Sequence, residues 1–307
     1  MPAPLITRRS LLANAAALPI AAALPMAAQA AAPMLGTALP PFRRIMLGGF
    51  EVTTLLAGSR AVPDPHSIFG LNVDGDTFQA AATDALLPTD AAQFYFTPTI
   101  INTGSELILF DTGLSPEGTT AALNAAGYSP DQVDKVVLTH MHGDHIGGLM
   151  QGDTPTFTNA SYVTGATEFD AWAKMDNEGF ETKMRPLAEQ TKMIEPGQDV
   201  TSGITAMNAY GHTPGHMAYR VESDGRNLIL AVDFANHYVF SLANPDWEVK
   251  FDMDKSAAAA TRRKMLEMMA ADKLPFVGYH MPFPAFGFVE TAGDGFAYVP
   301  DSYQLTL

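Results

Sequence analysis

The sequence predicts an α+β fold built as one large domain, and three observations predict it. Short β-type runs alternate with helical stretches and turn signals from about residue 42 onward. At 307 residues and 47% apolar content the chain can bury a full core. Three apolar runs end in a side chain able to ligate a metal, Asp111, His140 and Asp233, which suggests one shared rim.

Taken in order, residues 1–30 form the first segment. They carry paired Arg8 and Arg9, an Ala/Leu-rich run and a small-x-small end at Ala28-Gln29-Ala30. That pattern reads as a removable export signal, and "TRRSLL" resembles a twin-arginine address, so the expected location is periplasmic or secreted. Pro19, Pro25 and the weakly apolar alanines argue against stable membrane insertion. An Ala/Pro-rich linker, 31–41, precedes a single large domain, 42–307, without internal repeats.

Apolar and β-branched runs predict strands at Phe50–Leu56, Glu106–Asp111, Lys135–His140, Met217–Glu222 and Asn227–Asp233. Helical spacing predicts helices at Thr119–Ala126, Ala166–Met175 and Lys255–Ala271. The last is Met-rich and reads as an amphipathic packing helix with Met as adaptable filler, not as a copper site.

Composition narrows the chemistry. There is no cysteine, so a metal would be held by nitrogen and oxygen. The formal charge is −15, a field that repels polyanions and excludes nucleic acid as a partner.

The densest signal is "VVLTHMHGDHIGGL", with His140, His142, Asp144 and His145 inside six residues at a strand end. Spacing i, i+2 sends two imidazoles to one side, and Gly143 lets the chain turn to aim the next two groups. One metal would be satisfied by three protein groups and a water, so a fourth local ligand implies a second ion with partners farther along. "GHTPGH" offers a loop histidine (His212 or His216), "LAVD" offers Asp233, and "VGYH" offers His280. His66 and His237 read as hydrogen-bonded structural groups.

This set resembles the metallo-β-lactamase superfamily, whose H-x-H-x-D-H signature is complete here. The resemblance implies an αβ/βα four-layer sandwich binding two divalent ions, with zinc first and manganese, cobalt, nickel or iron as alternatives. It implies His140, His142 and His216 on one metal and Asp144, His145 and His280 on the other, with Asp233 bridging. His216 is preferred to His212 because the resemblance places the ligand second in that loop. Asp111, in "FDTG", would orient ligands without binding metal. The expected chemistry is hydrolysis, by a water that two cations acidify, with Asp233 and Asp144 as catalytic carboxylates.

Leu230 to Gly287, especially "PDWEVKFDMD", "ATRRKML" and "YHMPFP", resembles the branch of methyl parathion hydrolases and related lactonases. That implies small lactone or ester substrates, with organophosphate triesters as promiscuous ones, and a homodimer. Quorum-quenching lactonases often carry a tyrosine three residues after the bridging aspartate; Asn236 stands there, with Tyr238 as the nearest substitute. Trp172 and Phe180 are nominated for the substrate wall, against a simple buried face made with Phe169 and Met184. Phe94, Tyr95 and Phe96 are expected in the core rather than at the mouth. The alternatives are a β-lactamase-type hydrolase, for which no cation to grip a carboxylate is evident, and a non-catalytic metal-binding protein of the same fold.

Overall fold

A computed structural model describes residues 34–302. Leu39–Leu307 forms one compact unit, and everything below concerns it. The expected export signal lies outside the described residues.

Two seven-stranded sheets make the body, each with its strands in chain order. The first holds β1 (Phe42–Leu47), β2 (Phe50–Leu55), β3 (Thr99–Asn102), β4 (Leu107–Phe110), β5 (Lys135–Leu138), β6 (Ser161–Gly165) and β7 (Thr191–Ile194). The second holds β8 (Asp199–Thr201), β9 (Ile204–Asn208), β10 (Met217–Ser223), β11 (Arg226–Val232), β12 (Phe276–Gly278), β13 (Phe286–Ala292) and β14 (Gly295–Pro300). Strands β4 to β7 run parallel, as do β11 and β12, and the other neighbours are antiparallel.

Parallel neighbours need long crossovers, and helices supply them. Helix α1 (Gly75–Asp84) lies outside this scheme, between the two strands of a separate ribbon, Gly58–Pro63 paired with Ala91–Phe96. Helix α2 (Pro116–Ala125) joins β4 to β5, the single turn α3 (Gly143–Ile146) and helix α4 (Ala166–Trp172) flank β6, and α5 (Lys255–Asp272) joins β11 to β12. Ser115 accepts from the Gly118 N–H at the start of α2, which with Pro116 at the first helical position starts that helix earlier than its apolar spacing suggests.

Burial explains the sandwich. Along β5, Val137 faces the core between the sheets, while Val136 and Leu138 face an outer cluster containing Leu123 and Trp172. Strand β4 splits the same way, Ile108 and Phe110 inward, Leu107 and Leu109 outward. Both faces being covered accounts for continuous apolar runs in place of alternation. On the second sheet α5 buries Met265, Leu266 and Met269. The result is the four-layer α+β sandwich the sequence predicts, in which the ends of β4, β5, β11 and β12 meet. Among the described residues no helix is long and apolar enough to cross a membrane.

Candidate metal centre

Four of the site's residues lie within two positions of a strand end. Asp111 leaves β4 in a left-handed conformation (φ 60°), His140 follows β5, Asp233 follows β11 and His280 follows β12. All four are buried. His142 caps the single turn α3 and Asp144 and His145 lie within it, whereas the strand ends at Leu138, so His140 and His142 stand beyond the strand whose spacing was expected to aim them.

Among the described residues three groups of donors converge: His140, His142 and His212; His140, His145 and Asp233; Asp144, His145 and His280. Asp233 Oδ2 joins them. It lies 3.2 Å from His280 Nε2, 3.4 Å from His145 Nε2, 3.5 Å from His212 Nε2 and 4.0 Å from His140 Nε2.

Hydrogen bonds at the far side of each ring fix which nitrogen faces inward. His145 Nδ1 donates to Asp111 Oδ2 (2.9 Å), His212 Nδ1 to Asp252 Oδ1 (2.8 Å) and His280 Nδ1 to the Tyr95 carbonyl (2.8 Å). His140 Nδ1 donates to Thr139 Oγ1 (3.1 Å), which itself donates to Asp111 Oδ2 (2.8 Å). Asp111 therefore orients two histidines, one directly and one through Thr139. In these four rings Nε2 points toward the centre, whereas His142 presents Nδ1 there.

His212 corrects the expectation for the loop Gly211–His216. His216 is buried with both nitrogens used by backbone: Nδ1 donates to the Ala209 carbonyl (3.1 Å) and Nε2 accepts the Asp233 N–H (3.2 Å). It belongs to none of the donor groups. His212 instead presents Nε2 to His142 Nδ1 at 3.0 Å. The chain reaches this position because Gly211 adopts φ 125° against α5, where a Cβ would sit 2.3 Å from the Ala258 nitrogen.

Three functional residues escaped the sequence reading. Asp252 holds His212 and is itself held by Arg262 Nη2 at 2.6 Å. Arg262 is fully buried and also donates to the carbonyls of Phe234, Pro245 and Trp247, so one side chain ties His212's carboxylate to the residue after Asp233. Glu168, also buried, accepts from the Met141 N–H, Thr213 Oγ1 and the Gly215 N–H, clamping the two ligand loops together. A signal existed for Arg262: it falls on the buried stripe of α5 with Ala258, Met265, Leu266 and Met269.

The electrostatics differ across the centre. Burial, then the neighbouring His212, pushes His142 down to about 3, and burial with His145 and His142 holds His140 well below its ordinary value. Burial opposes charge on His280, yet Asp233 and Asp144 raise it to about 10, and three carboxylates raise His145 in the same way. Burial alone would raise Asp144, but His145 and His280 outweigh it and hold it at about 2.

These donors fit a pair of metal ions. His140 Nε2 and His142 Nδ1 approach to 3.1 Å, and His142 Nδ1 and His212 Nε2 to 3.0 Å, so unshared pairs face one another unless a cation sits among them. His145 Nε2 and Asp233 Oδ1 are buried without a hydrogen-bond partner. An all-nitrogen-and-oxygen set suits zinc and its first-row neighbours.

A cavity of about 340 Å³ opens over the centre, where His142, Asp144, Asp233 and His280 meet Arg60, Val62, Phe94, Phe96, Leu114 and Phe251. Trp172 and Phe180 do not line it. They are buried in the outer cluster under the first sheet, Trp172 with its edge toward the His142 ring and Phe180 against Phe169, so the buried-face reading holds for them. Phe94 and Phe96 pack in the core as expected, but their rings also meet His280 edge-on, both at 5.6 Å, and form the cavity wall. Tyr238 lies with Tyr95 beside a separate cavity, and Asn236 donates to Asp233 Oδ2 (3.1 Å). His66 and His237 bond to backbone, as read.

A four-layer sandwich with two histidine-rich donor groups sharing one carboxylate, gathered from strand ends, one turn and one loop, defines a metal-site protein of hydrolase architecture. The model of the metallo-beta-lactamase superfamily matches residues 97–280, and the chain belongs to that superfamily. The N-acyl homoserine lactonase AiiA of Bacillus thuringiensis subsp. kurstaki is 26% identical over 153 residues, 49% of this chain and 57% of that one. The chain thus spans little more than half of that relative's length. Among solved structures, AidC, a dizinc quorum-quenching lactonase, superposes with a TM-score of 0.80 at 24% identity, covering 85% of this chain and 98% of that one. AbOPH, a hydrolase of the beta lactamase superfamily, gives a TM-score of 0.79 at 24% identity over 87% and 99%.

Proposed function

We propose that the protein is a dinuclear-metal hydrolase that opens lactones and cleaves aryl esters, with organophosphate triesters as further substrates. The observation that carries the proposal is the single oxygen Asp233 Oδ2 within 4.0 Å of a nitrogen from four histidines that belong to both donor groups. His140, His142 and His212 would hold one ion and Asp144, His145 and His280 the other, with Asp233 between them. When bound, two divalent ions activate water and polarise the attacked carbonyl or phosphoryl oxygen.

The protein's own groups supply the rest. Asp233 Oδ1, buried and without a partner, is the atom able to take a proton and pass it to the leaving oxygen, while Asn236 steadies Oδ2. Tyr279 Oη donates to the Asp144 carbonyl (2.6 Å) and so fixes the loop that presents Asp144 to the cavity. Phe94, Phe96 and Val62 give the substrate an apolar wall that excludes water beside the reacting group. The lactonase relatives favour lactones as the leading class.

Metal analysis combined with a panel of γ- and δ-lactones, aryl esters and phosphotriesters tests the proposal. Two ions per chain and turnover of at least one lactone are expected. Two bound ions with every substrate intact would leave a metal-binding protein without this activity. The Arg8–Arg9 segment supports export, which cell fractionation checks by locating the processed chain.

A further inference from the structure

The cavity wall contains one permanent cation, and it is placed there by sheet register. Arg60 pairs with Phe94 across the ribbon, so the two share a face, and that face carries the Phe94 ring to the edge of His280. Val62 shares it two residues on, whereas Ser59 and Ala61 alternate to the other side. Arg60 is exposed, and its side chain makes no hydrogen bond or ion pair with any described residue. In a chain of formal charge −15, Arg60 is the one arginine or lysine among the residues that line the cavity, so it is the side chain there able to pair with an anion away from the centre. Leu114 (44% exposed) and Phe251 (39% exposed) complete a mouth that is otherwise apolar.

We infer that Arg60 is a specificity-determining residue that binds a carboxylate at the far end of the substrate's apolar arm. The preferred substrates are esters or lactones in which an apolar spacer separates the scissile carbonyl from an anion. The spacer lies against Phe94, Val62, Leu114 and Phe251, and the anion reaches the guanidinium, whose planar fork pairs with a carboxylate through two N–H groups. This inference rests on the hydrolase reading of the same site. A neutral acyl chain would gain the apolar wall but leave Arg60 solvated. Net affinity gained at so open a position is modest, and on-rate and salt dependence carry much of it.

The test compares two aryl esters of equal length on the metal-loaded protein, p-nitrophenyl hexanoate and mono-p-nitrophenyl adipate. The ratio of kcat/KM, adipate over hexanoate, is expected to fall about two- to fivefold in Arg60→Ala. Most of that fall should lie in KM, Arg60→Lys should recover part of it, and added salt should erode the wild-type ratio. An unchanged ratio in Arg60→Ala, with hexanoate still cleaved, overturns the role of Arg60 and leaves the hydrolase reading standing. Metal-loaded wild type that cleaves neither these esters nor any lactone overturns both.

Discussion

The two ends of the candidate centre hold their ligands in opposite ways. One end, His140, His142 and His212, is all imidazole, and burial together with mutual repulsion keeps His142 near 3. The other end, Asp144, His145 and His280, is rich in carboxylate, and Asp233 and Asp144 lift His280 to about 10. The first end is ready for a cation without losing a proton, and the second must release protons to accept one. Asp233 belongs to both, which is why the two ends act as one site.

The largest effect should come from breaking that shared oxygen. Asp233→Ala is expected to lower lactone and ester hydrolysis by about a thousandfold or more and to reduce metal content at both ends. Two firmly bound ions in that variant, measured by elemental analysis, would separate the ends and remove Asp233 as their common ligand.

Next in size is the contrast between two histidines of one loop. His212→Ala should lose one ion and nearly all activity, because its Nε2 faces His142 and Asp233. His216→Ala should keep both ions. It leaves the Asp233 N–H and Ala209 carbonyl unpaired in a buried place and should cost about 1–3 kcal/mol of stability, read by denaturant unfolding. The reverse pattern of metal loss would restore His216 as the ligand.

That contrast also marks what the sequence could and could not tell. His140 to His145 were legible because four donors crowd just past a strand end and into one turn, although the strand stops at Leu138, before its spacing could aim them. Asp111, Asp233 and His280 were legible as polar residues closing apolar runs. In the loop Gly211–His216 two histidines stand four residues apart with no periodicity to aim them, and the choice is made by Gly211 pressing on α5 and by Asp252, 40 residues away. The cavity wall was misread for a related reason: Trp172 and Phe180 follow the metal loop in sequence, whereas Phe94 and Arg60 reach the centre through pairing within a separate ribbon. Strand runs and α5 were readable within a few residues because both sheets are covered on both faces.

The imidazole end can be sharpened through its support. Asp252→Asn keeps the size of the side chain but weakens the hold on His212 Nδ1 and leaves Arg262 without its charge partner. Metal affinity at that end is expected to fall about 10- to 100-fold, with the other end little changed. Stepwise chelation followed by competition with a chromophoric chelator measures the two affinities separately. Equal loss at both ends would mean that Arg262, through its bond to the Phe234 carbonyl, passes the disturbance on to Asp233.

The contrast that bears least on turnover is the pH response of the metal-free chain, and it divides by end. His280 has a folded value of about 10 against an ordinary 6.5, so its contribution to stability is fully present below 6.5 and is lost as pH rises through 10. His142 has a folded value of about 3, so the unfolded chain binds a proton that the folded chain refuses, and stability falls as pH drops from 6.5 toward 3. Melting temperatures of metal-free protein should therefore decline on both flanks, with His280→Gln flattening the alkaline flank and His142→Gln the acid one. Metal titrations should follow the same division: affinity at the carboxylate end rises about tenfold per pH unit for each proton displaced, and affinity at the imidazole end stays nearly level between pH 6 and 8. Equal pH slopes at the two ends would remove the electrostatic difference between them, and their geometry alone would then have to explain any order of metal uptake.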